Sequence, residues 1–250
     1  MRPDDPTFAF SDMLYFMWSG PRLVPGAVLT PDTLRRNDLT VCIFLAAIFA
    51  CFFALIYGVG DYLHRTADTT RDISTGIDRM IPFIPQLAII YLLISPLMMA
   101  APFVMKTPER LLPFGVALAV ELIVALAIYY AFPTNVPPVS YDPNGLFGSL
   151  MSLADWINLD GNCFPSLHVA LVVSAAWAYA PYLSPRLRFA VFILAALIVA
   201  STLLLHQHVL ADVISGMALA ALGMGIVHPI ADRKLRQIKK QLGAAVANGR

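Results

Sequence analysis

A histidine and an aspartate four residues apart, His208 and Asp212, and a serine and a histidine separated by one residue, Ser166 and His168, are the residues of this chain best suited to chemistry. Each pair adjoins a hydrophobic stretch long enough to cross a bilayer, where ionisable groups are costly enough to suggest function by default. Positions four apart share a helical face. The Asp212 carboxylate can therefore hold the His208 imidazole in one tautomer, as the aspartate of a hydrolase triad orients its base. The other imidazole nitrogen is then free to attack phosphorus and carry it as a phosphohistidine, a form of covalent catalysis. Pro165 suits the first turn of a helix. Ser166 and the amides around it, that of Leu167 included, would then point at an anion, which the unpaired N–H groups of a helix start attract. His168 lies in the same turn and could protonate a leaving oxygen. Ser201, closing the preceding apolar stretch, could donate a further hydrogen bond. Phosphoryl transfer needs mostly such positioning, plus donors for the equatorial oxygens.

The same residues allow other readings. A lone Ser or His in a membrane span commonly bonds a neighbouring helix, so a non-catalytic transporter or scaffold with buried His and Asp is the rival class. His206, His208, Asp212 and His168 could instead ligate zinc in a metal-dependent hydrolase. Residues two apart on a regular helix diverge by roughly 200°, however, so only the turn before the last span could make His206 and His208 converge. No metal and no cofactor are expected. Cys163 lies near the Ser–x–His string without an adjoining basic residue to activate it. Three cysteines, with Cys42 and Cys51 inside an apolar run, do not suggest a disulfide framework.

The elements that must position these groups are membrane helices. Of 250 residues, 58% are hydrophobic and 13% charged, against about 25% charged in an ordinary soluble domain. Mean hydropathy is +0.71. Six segments reach the roughly 17–25 residues a helical crossing takes: Thr40–Val59, Ile81–Met105, Leu111–Phe132, Pro165–Tyr182, Phe189–Leu205 and Val209–Ile230. Continuous apolarity without alternation selects helix over strand. Pro96 and Pro102 should kink the second. The expected fold is all-α, a six-transmembrane-helix bundle with interfacial helices. Residues 1–39 form an N-terminal interfacial segment carrying Phe8, Phe10, Phe16 and Trp18, 40–230 the six-span catalytic domain and 231–250 a basic cytoplasmic tail. A second interfacial helix is expected over Leu146–Leu159, with Leu146, Phe147, Leu150, Leu153, Ala154 and Ile157 on one apolar face. It is either a lid or ramp for substrate or a surface helix filling space.

With both termini inside, 14 Lys and Arg fall on inner segments and only Arg65, Arg71 and Arg79 on outer ones, the asymmetry of the positive-inside rule. His168 and His208 then face outward together, toward periplasm or lumen. No basic stripe interleaves with aromatics, so nucleic acid is excluded as a partner. The cluster from Arg233 to Lys240 directly follows a span and suits anionic lipid headgroups. Glu121, in mid-span, either relays protons or is hydrogen-bonded inside the bundle.

The strings Cys163-Phe-Pro-Ser-Leu-His168 and Ser201-Thr-x5-His208-x3-Asp212-x3-Gly216 resemble the type 2 phosphatidic acid phosphatase superfamily. The resemblance covers spans four to six well and the first half only through hydropathy. It implies a six-helix bundle with His208 as nucleophile, Asp212 as its partner, His168 as acid/base and Ser166 as phosphate binder, acting on a lipid phosphate in the bilayer. The common family also has a Lys–x6–Arg-Pro motif in the outer loop before Ser–x–His, but Pro133–Asn162 contains no Lys or Arg. Thr202 replaces the usual Arg after the motif serine, and Leu167 the usual Gly. Such Pro-Ser-Leu-His forms, and more weakly Ile81-Pro-Phe-Ile-Pro85, resemble the branch of inositol phosphorylceramide synthase-like lipid phosphotransferases. Arg79, Arg65 or Arg71 are expected to supply the missing phosphate-binding charge, unless they only balance Asp61, Asp68, Asp72 and Asp78.

Overall fold

The computed structural model describes residues 31–158 and 163–248. The expected interfacial segment from Phe8 to Trp18 lies outside the described residues. The described residues are mostly helical, and among them four helices are long and apolar enough to cross a membrane: Asp38–Arg65, Pro108–Ala131, Pro185–Leu204 and Leu210–Leu242. These correspond to expected spans one, three, five and six. The other two expected spans are built from shorter apolar helices, so the six-helix count is not carried by long helices alone.

Helix α1 (Pro31–Arg65) ends with His64 and Arg65 in its last turn, where cations complement the helix dipole. A two-residue strand β1 (Arg71–Asp72) follows. Expected span two is then three short helices, α2 (Ala88–Leu92), α3 (Ile94–Met99) and α4 (Ala101–Met105). Pro96 and Pro102 lack the N–H that a continuous helix needs. The Tyr179 hydroxyl, buried in the core, donates to the Leu97 carbonyl near this break at 2.9 Å. Helix α5 (Pro108–Ala131) is the long third span, and β2 (Thr134–Asn135) pairs parallel with β1, Arg71 opposite Thr134 and Asp72 opposite Asn135. Helix α6 (Gly145–Asn158) occupies the expected interfacial position. Helix α7 (Leu167–Tyr179) and a short turn to Tyr182 form expected span four. Helix α8 (Pro185–Leu204) precedes α9 (Leu210–Leu222), which runs through a π turn at Gly223–Val227 into α10 (His228–Asn248). The expected tail thus continues the last span as helix. Lys239 pairs with Glu109 at 3.0 Å, fixing it to the start of α5.

The main core gathers Cys42 of α1, Leu97 and Met105 of the broken segment, Phe114 and Leu118 of α5, Ala175 and Tyr179 of α7 and Ile198 of α8. Outside it, Phe44, Leu55, Met99, Tyr130, Phe189 and Ile214 are exposed, a distribution that suits a membrane protein. Of the apolar face expected on α6, Leu146, Phe147, Leu153 and Ile157 are exposed, as is Trp156, while Ala154 is buried together with Gly148 and Met151. In a bilayer large apolar side chains have a favourable solvent outside the protein, so hydrophobicity alone does not identify the packed face.

Candidate active site

Two helices meeting at their N-terminal ends bring the histidines together. Helix α7 starts at Leu167 with Ser166 as its cap, the hydroxyl oxygen accepting from the Val169 amide at 3.3 Å, as a capping serine does. Pro165 therefore lies before the cap and not in the first turn, a correction of two residues. Its carbonyl accepts from the buried Tyr129 hydroxyl at 2.9 Å. His168 is in the first turn of α7, its ring stacked on Tyr91 at 5.0 Å between centroids. Helix α9 starts at Leu210, and the turn before it carries His208. The His208 and Gln207 amides both donate to the Thr202 carbonyl, at 3.1 and 3.0 Å.

The Asp212 carboxylate lies within this start. Its Oδ2 accepts from the Val209 amide at 3.0 Å and faces His208 Nδ1 at 3.2 Å. A carboxylate beside Nδ1 places the imidazole proton there and leaves Nε2 as the basic nitrogen. Asp212 is fully buried, and its Oδ1 has no partner among the described residues. The helices are stitched directly, the Ser166 amide donating to the Asp212 carbonyl at 3.1 Å. Gly216, one turn further along α9, allows this approach. A Cβ there would lie 2.5 Å from the Ser166 carbonyl oxygen and 2.9 Å from Val169 Cβ. The result is a separation of 5.8 Å between the His168 and His208 ring centroids.

Both rings line a cavity of about 400 Å³, with Tyr57 and His64 of α1, Asn135 of β2, Tyr141, Met151 and Asp155 around α6, Cys163, and His206 and Gln207 of the turn among its walls. Among the described residues, no Lys or Arg lines it. Arg65 pairs with Asp61 at 2.8 Å, Arg71 lies over the Phe132 ring at 4.5 Å, and Arg79 is exposed. The structure does not bring the expected cations to the histidines. Ser201 is also placed elsewhere: its hydroxyl donates to Ile198 of its own helix at 2.7 Å. Ser166 and Leu167 are buried behind the histidines, Leu167 packing with Tyr57, Tyr129 and Leu219. His206, with φ of +52°, turns its Nε2 to the Ile81 carbonyl at 2.9 Å and its ring to Phe83. Among the described residues, no three His, Cys, Asp or Glu side chains group as metal ligands. Glu121 accepts from Ser174 at 2.7 Å deep between α5 and α7.

Sequence reasoning missed the two clamps that hold this arrangement. Asp78 accepts from the Leu210 amide at 2.7 Å and from the Thr75 amide and hydroxyl at 2.7 and 2.6 Å. It pins the loop after β1 onto the start of α9. Burial alone would raise its carboxyl, but the hydrogen bonds from Thr75 and Leu210 outweigh that and hold it below the ordinary range. Asp155 of α6 accepts from Tyr141 at 2.6 Å and from Gln207 at 2.8 Å. Burial and the Asp155 carboxylate push the Tyr141 phenol up. Met151 packs on Tyr91 and Leu205, so α6 walls the cavity and is joined to the turn bearing His208.

A family model described as the PAP2 superfamily matches residues 73–226, which include both histidine strings, Asp78 and the break in the second span. Neither a curated protein nor a solved structure shows significant similarity to this chain. The match spans well over half of the sequence and both helix starts that meet at the cavity, and the chain belongs to the PAP2 superfamily.

Proposed function

We propose that the chain is a multi-pass membrane phosphatase or phosphotransferase acting on a phosphate-bearing lipid through a phosphohistidine at His208. The observation that carries this reading is the pair of imidazoles, 5.8 Å apart on one cavity, with Asp212 on Nδ1 of the second. His208 Nε2 attacks phosphorus while the bond from phosphorus to the leaving oxygen breaks. His168 gives its proton to that oxygen. Water or an alcohol then attacks phosphorus, passes its proton to His168, and the N–P bond breaks. Water makes the protein a phosphatase, and an alcohol makes it a transferase of the inositol phosphorylceramide synthase-like kind.

Ser166 supports the phosphate side of the site by fixing the first turn of α7, with the Leu167 amide in that turn. Arg65 and Arg79 are left out of this reading by their placement. With six crossings, the 14-to-3 asymmetry of Lys and Arg supports cytoplasmic termini and a cavity on the periplasmic or lumenal face.

The test uses purified protein in detergent with a panel of lipid phosphates, scoring free phosphate against head-group exchange. Rapid quenching should trap an acid-labile phosphoryl adduct in the wild type and none in His208→Ala. An adduct that persists in His208→Ala refutes the assignment of the nucleophile. A folded His208→Ala with unchanged turnover of every lipid refutes the enzyme reading in favour of a transporter or scaffold.

A further inference from the structure

The two histidines are held unequally. His208 has the Asp212 carboxylate on Nδ1. His168, whose part is to give a proton to the leaving oxygen, has no ion pair and no hydrogen bond among the described residues. What holds it is a ring. The Tyr91 side chain lies 5.0 Å away between centroids and 25° from parallel. At that distance aromatic rings stack, and the negative face of a tyrosine attracts a cation. The His208 ring, by contrast, is 5.8 Å away and tilted by 49°. Burial opposes a charged imidazole, and a desolvated aromatic face offsets part of that cost.

Tyr91 is itself fixed by its surroundings. It is 1% exposed and packs with Ala88 of α2, Met151 and Ala154 of α6, and Leu205 just after α8. The approach to α2 is tied to the same place, the Ile84 amide donating to the Leu204 carbonyl at 2.8 Å. Tyr91 is not among the residues that line the cavity, so it reaches the chemistry only through His168. We propose that Tyr91 is the positioning residue of His168, as Asp212 is of His208: its ring fixes the plane of the imidazole, and its face favours the imidazolium that donates to the leaving oxygen. This inference rests on the roles proposed for the two histidines, and its test lets the two fail separately.

A proton donor matters more the poorer the leaving group. Purified protein would be given octyl phosphate, whose alkoxide needs a proton to leave, and p-nitrophenyl phosphate, whose phenolate does not. The comparison uses kcat/KM, which reads the steps up to the phosphohistidine, before water or alcohol enters. Tyr91→Leu removes the face and should lower kcat/KM for octyl phosphate by about tenfold or more, while p-nitrophenyl phosphate stays within about twofold. Tyr91→Phe keeps the face and should retain both. Pentafluorophenylalanine at this position keeps the shape of that phenyl ring but inverts the charge on its face, so it should reproduce the selective loss without opening a cavity. The ring-current shift of the His168 Cε1 proton, read by NMR, should be present in wild type and Tyr91→Phe and absent in Tyr91→Leu. Equal losses on both esters, or none on either, in the fluorinated protein overturn the positioning role, as does a wild type without the ring-current shift. A wild type that forms no phosphoryl adduct from any donor defeats the proposed chemistry, and the inference with it, whatever the ring current shows.

Discussion

Gly216→Ala is expected to separate the two histidines without touching either. The added methyl would sit 2.5 Å from the Ser166 carbonyl oxygen, and ordinary contact begins near 3.4 Å, so the helices must part by ~0.9 Å. The obstructing atom is backbone at the cap of α7, and Val169 Cβ, at 2.9 Å, is also fixed to it. No rotamer change relieves either contact. Overpacking of this kind costs about 1–3 kcal/mol. Helix propensity returns about 0.5–1 kcal/mol to alanine, so the net loss of stability is modest, roughly 1–2 kcal/mol. The kinetic effect should be larger. A 1 Å misplacement of reacting groups costs on the order of 100-fold, and the shift lies along the line joining α7, with His168, to α9, with Asp212. Thermal unfolding in detergent and lipid-phosphate turnover would be measured together. Gly115→Ala, where a Cβ meets nothing within 4 Å, serves as the control and should be neutral or slightly stabilising. Wild-type turnover in Gly216→Ala would refute the claim that close approach of α7 and α9 sets the histidine geometry.

Three further outcomes follow from single contacts. Asp78→Asn leaves one oxygen where the carboxylate accepts three hydrogen bonds, so stability should fall by about 1.5–3 kcal/mol near neutral pH. Because the folded Asp78 carboxyl lies below its ordinary value, its contribution is complete above about pH 4 and is lost as pH falls through the folded value. The stability difference between wild type and Asp78→Asn should therefore shrink below pH 4, and a difference that widens there would count against the clamp. Glu121→Gln keeps the oxygen that accepts from Ser174 and should retain turnover to within about twofold, whereas a proton relay through this carboxyl predicts its loss. Tyr129→Phe orphans the buried Pro165 carbonyl and should lower the unfolding free energy by about 1–3 kcal/mol, measured by thermal unfolding beside the wild type.

The legible parts were those encoded within one helix or one turn. His208 and Asp212 four apart, and Ser166 and His168 at a helix start, are local patterns, as are the long apolar runs of α1, α5, α8 and α9. Counting crossings led to a common membrane face for the two histidines, and the structure places both on one cavity. The illegible parts join residues distant in the chain. Asp78 bonds an amide 132 positions away and looked like one of several acidic residues in a loop. Asn135 and His64 carry no motif, yet both line the cavity that holds the histidines. Charge was ambiguous: Arg65, Arg71 and Arg79 could either bind phosphate or balance nearby aspartates, and Arg65 pairs with Asp61 one turn back in its own helix. On α6 the apolar periodicity did not reveal that Gly148, Met151 and Ala154 are the buried positions.

A cavity whose described walls carry no lysine or arginine has little electrostatic reach into its surroundings. Fixed cations draw anions in over about 8–10 Å at ordinary ionic strength and lose that pull as salt rises. On the proposed reading, capture falls instead to the two-dimensional crowding of lipids in the leaflet, which added sodium chloride barely alters. The rate of substrate entry should then stay nearly flat from dilute buffer to half-molar salt.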